Sequence, residues 1–306
     1  MRQAVLKEPG VIELADVDPP TCGPGQVLLR IKRIGVCGSD VHAYHGRHPF
    51  AHYPLIPGHE FSGVVEAVGE GVTGIEPGIK ATATPQEVCG RCRPCRRGDY
   101  NICDVLKVFG FQTAGTACDL FAVDARKVVP LPDSFTFEQG ALVEPASVGA
   151  HSTSRGGELT GRNVVVLGAG PIGNLVAQAC RCRGAAKVLI TDLSDFRLDV
   201  AARCGTGLTS RADRESLADA SQRVLGDEGF DIAFECVGVE ATMEQAIAAI
   251  QKGGTIVVLG VFGERPRIDM AVMGDRELSL IGSLMYKRED YLQAVRWIAQ
   301  GSTITE

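Results

Sequence analysis

Two short segments of the first half carry the side chains best suited to chemistry. Residues 35–42 read GVCGSDVH and hold a thiol, a hydroxyl, a carboxylate and an imidazole. Residues 58–60 read GHE and add a second imidazole and a second carboxylate. Thiolate, imidazole and carboxylate donors together suit zinc, and three protein ligands with one open position are typical of a catalytic site. The two segments therefore predict a catalytic zinc site.

Four cysteines further along the chain form the strongest signal. Cys89, Cys92, Cys95 and Cys103 are separated by two, two and seven residues. Four thiolates can close a tetrahedron around zinc and leave no open position, which makes such a site structural. An iron–sulfur cluster is the alternative, but the ferredoxin spacing has three residues before the fourth cysteine and a proline after it. Here Asp104 follows, so the spacing favours a structural zinc.

A glycine-rich turn in the second half predicts a dinucleotide site. The sequence GAGPIG at residues 168–173 directly follows an apolar strand predicted over residues 163–167. Asp192 ends the next predicted strand, residues 187–192, at the distance where an acidic residue accepts hydrogen bonds from the adenosine ribose. Asp192 would also repel a 2′-phosphate, and Leu193 beside it supplies no compensating charge. The pattern therefore favours NAD over NADP.

The two halves of the chain are expected to fold differently. From Val11 to about Val72 the chain alternates short β-rich runs with glycine and proline turns, which predicts a compact all-β fold with irregular connections. Glu144 and Pro145 stand where a helix is predicted to begin. In the second half, alternating strands and helices predict a doubly wound parallel sheet with ligands at the C-terminal ends of its strands. Its further predicted strands are residues 231–235, 255–259 and 278–281, and its predicted helices are residues 172–182, 241–250 and 289–300.

Composition and charge exclude several classes of protein. A chain of 306 residues is long enough for two domains. Its net charge of −6 argues against a nucleic-acid or anionic-membrane partner. No apolar run reaches transmembrane length and no signal peptide is recognised, so the eleven cysteines indicate a reducing compartment. We therefore expect a cytoplasmic protein that binds neither nucleic acid nor membrane.

The two cysteine- and histidine-containing clusters and the dinucleotide turn together resemble the zinc-dependent medium-chain dehydrogenases. The zinc signature of that family is similar to Gly58, His59, Glu60, Gly63, Gly69 and Val72. The combination of Cys37, His59, Glu60 and Glu144 resembles the polyol (sorbitol or L-iditol) branch, in which a glutamate replaces the second catalytic cysteine of alcohol dehydrogenases. The resemblance covers nearly the whole chain.

This resemblance implies an α/β protein with two domains. A GroES-like β-rich catalytic domain is expected over residues 1–150, with a structural zinc lobe at residues 87–105. A Rossmann domain that binds NAD is expected over residues 151–290. Residues 291–306 are expected to begin a return to the catalytic domain that stops short, since the family normally continues for a few tens of residues after the position of Glu306.

The resemblance also assigns the ligands of the two zinc ions. It implies that Cys37 and His59 bind the catalytic zinc, with Asp40 holding the His59 ring as a hydrogen-bond acceptor. Glu60 and Glu144 are similar to the two acidic residues at the metal, and either could bind directly or through water. The structural zinc would be bound by Cys89, Cys92, Cys95 and Cys103.

For the reaction itself, the resemblance implies that Ser39 takes the proton of the substrate hydroxyl and that His42 passes it towards solvent. The residues similar to the family's NAD-binding positions are Gly168, Gly170, Ile172, Gly173, Asp192 and Arg197. The residues similar to those that pass near the nicotinamide are Leu259, Gly260, Val261, Ser283, Leu284 and Met285.

We therefore expect a zinc-dependent oxidoreductase that transfers hydride from a secondary alcohol of a polyol or sugar acid to NAD and leaves a ketone. The loop at residues 46–57 also resembles that of sugar-acid dehydrogenases such as those for L-gulonate, and an L-threonine or butanediol dehydrogenase is a further alternative. A non-catalytic NAD-binding or structural protein on the same scaffold is the alternative from a different class. By analogy with the family, the chain is expected to form a homo-oligomer, a tetramer or a dimer.

Overall fold

The computed structural model describes residues 1–303, which fall into two compact units. Unit 1 contains Met1–Glu144 and Lys287–Val295, and unit 2 contains Pro145–Tyr286 and the residues from Arg296 onward. The division lies at 144/145, inside one helix, rather than at the expected 150/151. Of the segment expected to return to the first domain, residues 291–295 belong to unit 1 and residues 296–303 to unit 2, while Ile304, Thr305 and Glu306 lie outside the described residues.

Unit 1 is built on antiparallel strands. The strands are β1 (Arg2–Glu8), β2 (Val11–Asp16), β3 (Gln26–Ile34), β4 (Phe61–Val68), β5 (Lys80–Ala83), β6 (Gln86–Glu87), β7 (Lys107–Val108), β8 (Leu120–Asp124) and β9 (Val128–Pro130). Five of them form a sheet in the order β8-β3-β4-β5-β9, while β1 pairs with β2 and β6 with β7. Val27 and Leu29, two residues apart on β3, are both fully buried and pack in one cluster with Phe61 and Val65 of β4.

The prediction of an all-β first half was wrong at residues 38–44. The GVCGSDVH segment forms a helix, α1 (Gly38–Tyr44), that begins immediately after Cys37. Its first turn is stabilised because the Asp40 carboxylate accepts a hydrogen bond from the Cys37 N–H, at 2.9 Å. An acidic residue at the third helical position commonly closes a helix N-terminus in this way. A second short helix, α2 (Arg93–Arg96), lies within the four-cysteine segment.

Unit 2 contains the doubly wound parallel sheet that the sequence predicted. Its strands are β10 (Asn163–Leu167), β11 (Lys187–Asp192), β12 (Leu208–Arg211), β13 (Ile232–Glu235), β14 (Thr255–Val258) and β15 (Ser279–Gly282). They lie parallel in the order β12-β11-β10-β13-β14-β15. The chain leaves β10 to one side for β11 and later returns to its other side for β13, so the strand order reverses at β10. Ligands of such folds bind at this point.

Helices cover both faces of this sheet. The helices that follow β9 are α3 (Phe137–Arg155), α4 (Pro171–Cys182), α5 (Asp195–Arg203), α6 (Leu217–Leu225), α7 (Glu240–Ala249), α8 (Met270–Asp275) and α9 (Arg288–Ala299), of which α3 and α9 have residues in both units. Residues of α4 and α5 pack on one face of the sheet, and residues of α6, α7 and α8 pack on the other. Val164 and Val166 of β10 pack into one apolar cluster, and the alternate residues Val165 and Leu167 pack into another. A strand buried on both faces explains why this segment is uninterruptedly apolar.

The predicted fold class, a β-rich first domain followed by a doubly wound α/β domain, is confirmed. The predicted strands at residues 163–167 and 187–192 coincide with β10 and β11. The sequence analysis did not identify β12, whose LTSR sequence lacks an apolar run. Across the described residues, no helix combines the length and apolar character needed to span a membrane.

Candidate active site

Three of the residues predicted to lie at a catalytic zinc come together in unit 1. One ligand atom each from Cys37, His59 and Glu60 lies within 4.8 Å of the other two. Cys37 is half-buried, and His59 and Glu60 are only 5% and 9% exposed. Cys37 stands at the N-terminus of α1, whereas His59 and Glu60 precede β4. The cluster therefore forms where the N-terminus of α1 lies close to the start of β4.

Glycines allow these two segments to approach each other closely. A Cβ atom at Gly35 would lie 2.1 Å from the Glu60 Oε2 atom, so any larger residue would displace the carboxylate. The Gly35 N–H also donates a hydrogen bond to the Glu60 carbonyl oxygen, at 2.7 Å. Gly58 has a φ of +103°, a conformation that favours glycine, and this turn directs His59 and Glu60 into the site.

The electrostatics of the cluster fit a bound cation. Burial and, less strongly, the nearby Glu60 carboxylate together raise the pKa of the Cys37 thiol to about 12. Burial also raises the pKa of Glu60 to about 7, with the charge of Asp40 acting in the same direction. Burial lowers the pKa of His59, which favours the neutral imidazole that a metal needs. A divalent cation would stabilise the thiolate and the carboxylate together, so the donor set fits zinc.

Asp40 lies next to His59 but not at hydrogen-bonding distance. The Asp40 Oδ1 and His59 Nδ1 atoms are 3.7 Å apart, and both are buried without a hydrogen-bond partner in the described part of the chain. The other carboxylate oxygen, Oδ2, accepts the bond from Cys37 described above. The orientation of the His59 ring by Asp40 stays a prediction that needs a small approach of these two side chains.

Glu144 occupies a different position from the one expected. The sequence placed it at the start of a helix, but it lies in the interior of the 19-residue helix α3, with Pro145 following it inside the helix. Glu144 is only 5% exposed, and its charge contributes to raising the pKa of Cys37. Among the described residues, the group with all ligand atoms within 4.8 Å contains Glu60 and not Glu144.

The two residues predicted to carry the substrate proton both lie on α1. Ser39 is half-buried, and its hydrogen bonds to Cys37 oppose the rise in the pKa of that thiol. His42 is exposed. Residues three apart on a helix lie on the same face, so α1 presents a hydroxyl beside the zinc cluster and an imidazole nearer the solvent.

The four cysteines predicted to hold a structural zinc also lie together. Each contributes a sulfur within 4.8 Å of the others, and the Sγ atoms of Cys92 and Cys103 are 3.8 Å apart. Four sulfurs bound to one zinc ion are about 3.8 Å apart, because each zinc–sulfur bond is about 2.3 Å long. All eleven cysteines fall within residues 1–303 and are free thiols. The geometry of this group fits a tetrahedral ion.

Backbone N–H groups stabilise thiolates in this lobe. The Cys92 N–H points at the Cys89 sulfur, at 3.3 Å, and the Cys89 N–H points at the Cys103 sulfur, at 3.4 Å. Donors from Arg91 and Cys92 lower the pKa of Cys89 to about 6. The pKa of Cys95 is raised to about 12 by burial and by its neighbouring thiols. A cation relieves that mutual repulsion, which again fits zinc.

The glycines of the dinucleotide turn serve three different purposes. Gly168 has a φ of +98°, and a Cβ atom at Gly173 would lie 1.8 Å from the Gly168 carbonyl oxygen. Both positions are therefore required by the backbone itself. A Cβ atom at Gly170 would meet nothing within 4 Å. The space in front of Gly170, at the N-terminus of α4, fits the pyrophosphate of a dinucleotide. Ile172 follows, half-buried, in the first turn of α4.

Asp192 is fixed at the end of β11 by two backbone donors. Its Oδ2 atom accepts from the Ala169 N–H at 2.8 Å, and its Oδ1 atom accepts from the Ser194 N–H at 2.9 Å. The Arg197 guanidinium lies 3.6 Å from the same carboxylate. Leu193 is 64% exposed and carries no charge. This arrangement fits the ribose hydroxyls of NAD better than a 2′-phosphate.

The two segments expected near the nicotinamide follow neighbouring strands. Leu259, Gly260 and Val261 come directly after β14, and Ser283, Leu284 and Met285 come directly after β15. Both segments therefore lie at the C-terminal edge of the sheet. Val261 is 80% exposed and Leu284 52% exposed. Met285 has a φ of +49°, a conformation that residues other than glycine adopt infrequently.

The sequence analysis missed Glu235, which braces this edge of the sheet. Its side chain is fully buried, and its Oε1 atom accepts hydrogen bonds from the Val237 N–H, the Gly238 N–H and the Thr242 hydroxyl. Its Oε2 atom packs against Gly260, where a Cβ atom would lie 2.5 Å away. A charged residue at the end of an otherwise apolar strand was the available signal, because such a carboxylate needs local donors.

Comparison with known proteins agrees with this geometry. The family model "Alcohol dehydrogenase GroES-like domain" matches residues 23–133, and the family model "Zinc-binding dehydrogenase" matches residues 171–300. Human sorbitol dehydrogenase is 36% identical over 290 residues, which cover 92% of this chain and 81% of that protein. The 2-dehydro-3-deoxy-L-galactonate 5-dehydrogenase of Pseudoalteromonas atlantica is 36% identical over 278 residues, covering 90% and 81%.

Solved structures show the same fold. A protein from Sinorhizobium meliloti 1021 bound to NADP superposes with a TM-score of 0.93 at 31% identity and covers 99% of this chain and 89% of that one. An alcohol dehydrogenase from Escherichia coli CFT073 complexed with NADH has a TM-score of 0.92 at 26% identity, covering 100% and 89%. The chain is a dehydrogenase that belongs to the zinc-dependent medium-chain family, in its polyol branch.

Proposed function

We propose that the protein oxidises a secondary hydroxyl of a polyol or sugar acid to a ketone, with NAD as the hydride acceptor. The observation that carries this proposal is the cluster of Cys37, His59 and Glu60, in which a thiol, an imidazole and a carboxylate share one small volume. Similarity to sorbitol dehydrogenase and to a dehydrogenase of a sugar acid supports the substrate class.

The residues of the cluster and of the glycine turn would hold the two cofactors. Zinc bound by Cys37, His59 and Glu60 would lower the pKa of the substrate hydroxyl, and NAD bound at the glycine turn would accept the hydride. Glu144, buried nearby, would add negative charge to the site and bind through water. The four-cysteine lobe would hold a second zinc ion with no open position and would serve the fold alone.

The residues of α1 would remove the proton. Ser39 stands beside Cys37 at the start of the helix, so its hydroxyl is placed to accept the proton of the substrate hydroxyl while donating its own. His42, one turn further and exposed, would take that proton and release it to water. Asp40, in the first turn of the same helix, would orient the His59 ring; its Oδ1 atom lies 3.7 Å from His59 Nδ1.

The broader organisation is proposed on the same grounds. Unit 1 would serve as the catalytic domain and unit 2 as the NAD-binding domain, with Gly168, Gly170, Ile172, Gly173, Asp192 and Arg197 contacting the cofactor. The family analogy supports a homo-oligomer. The cysteine usage supports a cytoplasmic location, since eleven free thiols suit a reducing compartment.

The Ser39 hydroxyl provides the sharpest test of the reaction. Polyols, sugar acids and sugar phosphates are first screened with NAD by the absorbance of reduced cofactor. With the best substrate, Ser39→Ala should lower kcat/KM at least about a hundredfold, the usual scale for loss of acid–base catalysis. Zinc content and the dissociation constant of NADH should stay within about twofold, because the hydroxyl is not a ligand of either.

Ser39→Thr is the matched control, since it keeps a hydroxyl at the same position and should retain most of the activity. Turnover unchanged in Ser39→Ala would refute the proton-transfer role of this residue. If no alcohol in the screen reduces NAD although the protein binds both zinc and NADH, the proposed reaction itself is wrong.

A further inference from the structure

Charged side chains surround the turn that follows β11, where the adenosine ribose of NAD is proposed to bind. Arg197, Arg211 and Arg214 supply three positive charges, and Asp192, Asp195 and Asp213 supply three negative charges. The turn is therefore electrically balanced. Arginines close to an adenosine ribose are the residues that bind the 2′-phosphate of NADP in this class of fold, so a balanced cluster at this place needs an explanation.

Arg211 lies on the strand next to Asp192. It is the last residue of β12 and lies directly opposite Asp192 in the parallel pairing of β11 with β12. Its side chain is only 20% exposed. Its guanidinium reaches from the end of β12 to Asp195, the first residue of α5. Arg211 thus lies on the strand next to that of Asp192, the residue proposed to bind the ribose, at the same edge of the sheet.

Two aspartates form ion pairs with the Arg211 guanidinium. Arg211 Nη1 lies 2.7 Å from Asp195 Oδ2, and Arg211 Nη2 lies 2.7 Å from Asp213 Oδ2. Asp195 also lies 3.6 Å from Arg214 Nη2. Asp195 therefore pairs with two arginines at once, and it lies at the start of α5, three residues after Asp192. Asp213, by contrast, lies two residues after Arg211, just beyond the end of β12.

We propose that Asp195 is a second determinant of the preference for NAD, because it holds Arg211 and Arg214 away from a 2′-phosphate and adds negative charge beside Asp192. This inference rests on the proposed NAD site at the glycine turn. Two residues would then discriminate against NADP in different ways. Asp192 accepts the ribose hydroxyls and repels the phosphate directly, whereas Asp195 removes the positive charges that would otherwise compensate for that repulsion.

A 2′-phosphate carries close to two negative charges at neutral pH and forms its strongest hydrogen bonds with arginine. While Asp195 is present, a phosphate would have to displace a paired carboxylate to reach Arg211. Without that carboxylate, the cluster gains one net positive charge and the Nη1 group of Arg211 is released, while Asp213 still accepts from Nε and Nη2. The structural similarity to a protein bound to NADP is consistent with a scaffold in which few changes separate the two cofactors.

The test is the binding of NADPH and NADH, measured by titration calorimetry on the full-length protein. In Asp195→Asn, the affinity for NADPH should rise about tenfold, the scale of one charge-assisted hydrogen bond to a phosphate. The affinity for NADH, which lacks the phosphate, should stay within about twofold. The double variant Asp195→Asn with Arg211→Gln should lose the gain, because the arginine that supplies it is gone.

Asp199→Asn is the matched control. Asp199 is exposed on the same helix, one turn after Asp195, so this variant makes the same change in net charge without releasing Arg211. It should leave the ratio of the two affinities unchanged. An equal gain in NADPH affinity in Asp199→Asn would overturn the proposal, because general charge would then explain the effect.

No gain in Asp195→Asn, with NADH still bound normally, would overturn this inference alone. Failure of the unmodified protein to bind NADH would overturn the proposed function and this inference with it. The two failures are therefore distinguishable in one set of titrations.

Discussion

Glu60 and Glu144 are both buried carboxylates close enough to Cys37 to raise the pKa of its thiol. The pKa of Cys37 responds to Glu60 more strongly than to Glu144, and only Glu60 belongs to the compact ligand group. A third difference is that Glu60 stands directly next to His59 in the chain. These differences separate two residues that the sequence left equivalent.

We predict that Glu60→Gln removes the catalytic zinc while Glu144→Gln largely keeps it. Zinc per chain, measured by mass spectrometry after dialysis against a weak chelator, should be two in the unmodified protein. It should fall towards one in Glu60→Gln, because a neutral amide replaces a charged ligand. In Glu144→Gln it should stay near two, with activity reduced through the loss of negative charge near the site.

Cys103→Ser provides the control for the second ion, since it should lose the structural zinc and leave the catalytic site filled. Equal loss of zinc in Glu60→Gln and Glu144→Gln would contradict the assignment. A single ion in the unmodified protein, held by the four cysteines, would instead support a non-catalytic role for the chain.

At this scale, the sequence predicts which residues meet but not how they are oriented. Cys37, His59 and Glu60 could be grouped from residue type alone, because few other functions bring a thiol, an imidazole and a carboxylate so close together. The 3.7 Å separation between Asp40 and His59 depends on side-chain rotamers, which no spacing rule contains. The ion pair of Asp195 with Arg211 depends on where α5 lies relative to β12 in the folded protein, so it could not be predicted from the sequence either.

The glycines of the turn between β10 and α4 have different roles, so substitutions can separate the stability of the turn from its binding of the cofactor. Gly173→Ala should destabilise the protein by about 2–4 kcal/mol, since the added methyl group meets the carbonyl oxygen of Gly168. Gly170→Ala should leave the free energy of unfolding within about 0.5 kcal/mol, since its methyl group enters open space. It should nevertheless weaken NADH binding at least about tenfold, because that space is proposed for the pyrophosphate.

Urea unfolding followed by circular dichroism gives the stability, and calorimetric titration gives the affinity for NADH. Gly157→Ala is not a suitable control, because Gly157 has a φ of +85°. Gly207→Ala is suitable, since a Cβ atom there meets nothing within 4 Å and its φ is not in the left-handed region. Normal NADH affinity in Gly170→Ala would show that the cofactor does not approach this turn.

The elements that the sequence predicted best are those whose pattern is set by burial. β10 and β11 were located to the residue because both faces of a central parallel strand are apolar. α1 was missed because its GVCGSDVH sequence has small and polar residues throughout, and the hydrogen bond from Cys37 to Asp40 that closes its first turn is a local side-chain contact. β12 was missed because an edge strand of four residues has little apolar surface to bury.

At the scale of the whole molecule, unit 1 is completed by a segment from the end of the chain. Tyr291 is fully buried, and its hydroxyl lies 2.9 Å from the Thr82 hydroxyl of β5. The Arg288 N–H donates to the Tyr100 hydroxyl at 2.5 Å, and Lys287 Nζ donates to Asp99 at 2.9 Å. Tyr100 and Asp99 lie within the four-cysteine lobe. The sequence showed a helix here but could not show where its first two turns are buried, because that depends on long-range packing.

Removing the Tyr291 side chain should therefore weaken unit 1 although the residue lies far along the chain. We expect Tyr291→Ala to lower the free energy of unfolding by about 3–5 kcal/mol, the usual cost of deleting a buried aromatic ring. Tyr291→Phe should cost only about 1 kcal/mol, because the Thr82 hydroxyl keeps its hydrogen bond to the Phe61 carbonyl oxygen. Leu292→Ala, at a neighbouring position that is 38% exposed, should change stability by less than about 1 kcal/mol.

Two readouts locate the effect within the molecule. Release of zinc from the four-cysteine lobe, followed with a chromogenic chelator during a urea titration, reports on unit 1. Fluorescence of Trp297, the single tryptophan of the chain, reports on unit 2. In Tyr291→Ala, zinc release should move to lower urea, because the segment that packs beside the lobe has lost its buried anchor. If zinc release and Trp297 fluorescence both keep their urea midpoints in Tyr291→Ala, the segment at residues 287–295 contributes nothing to the stability of unit 1.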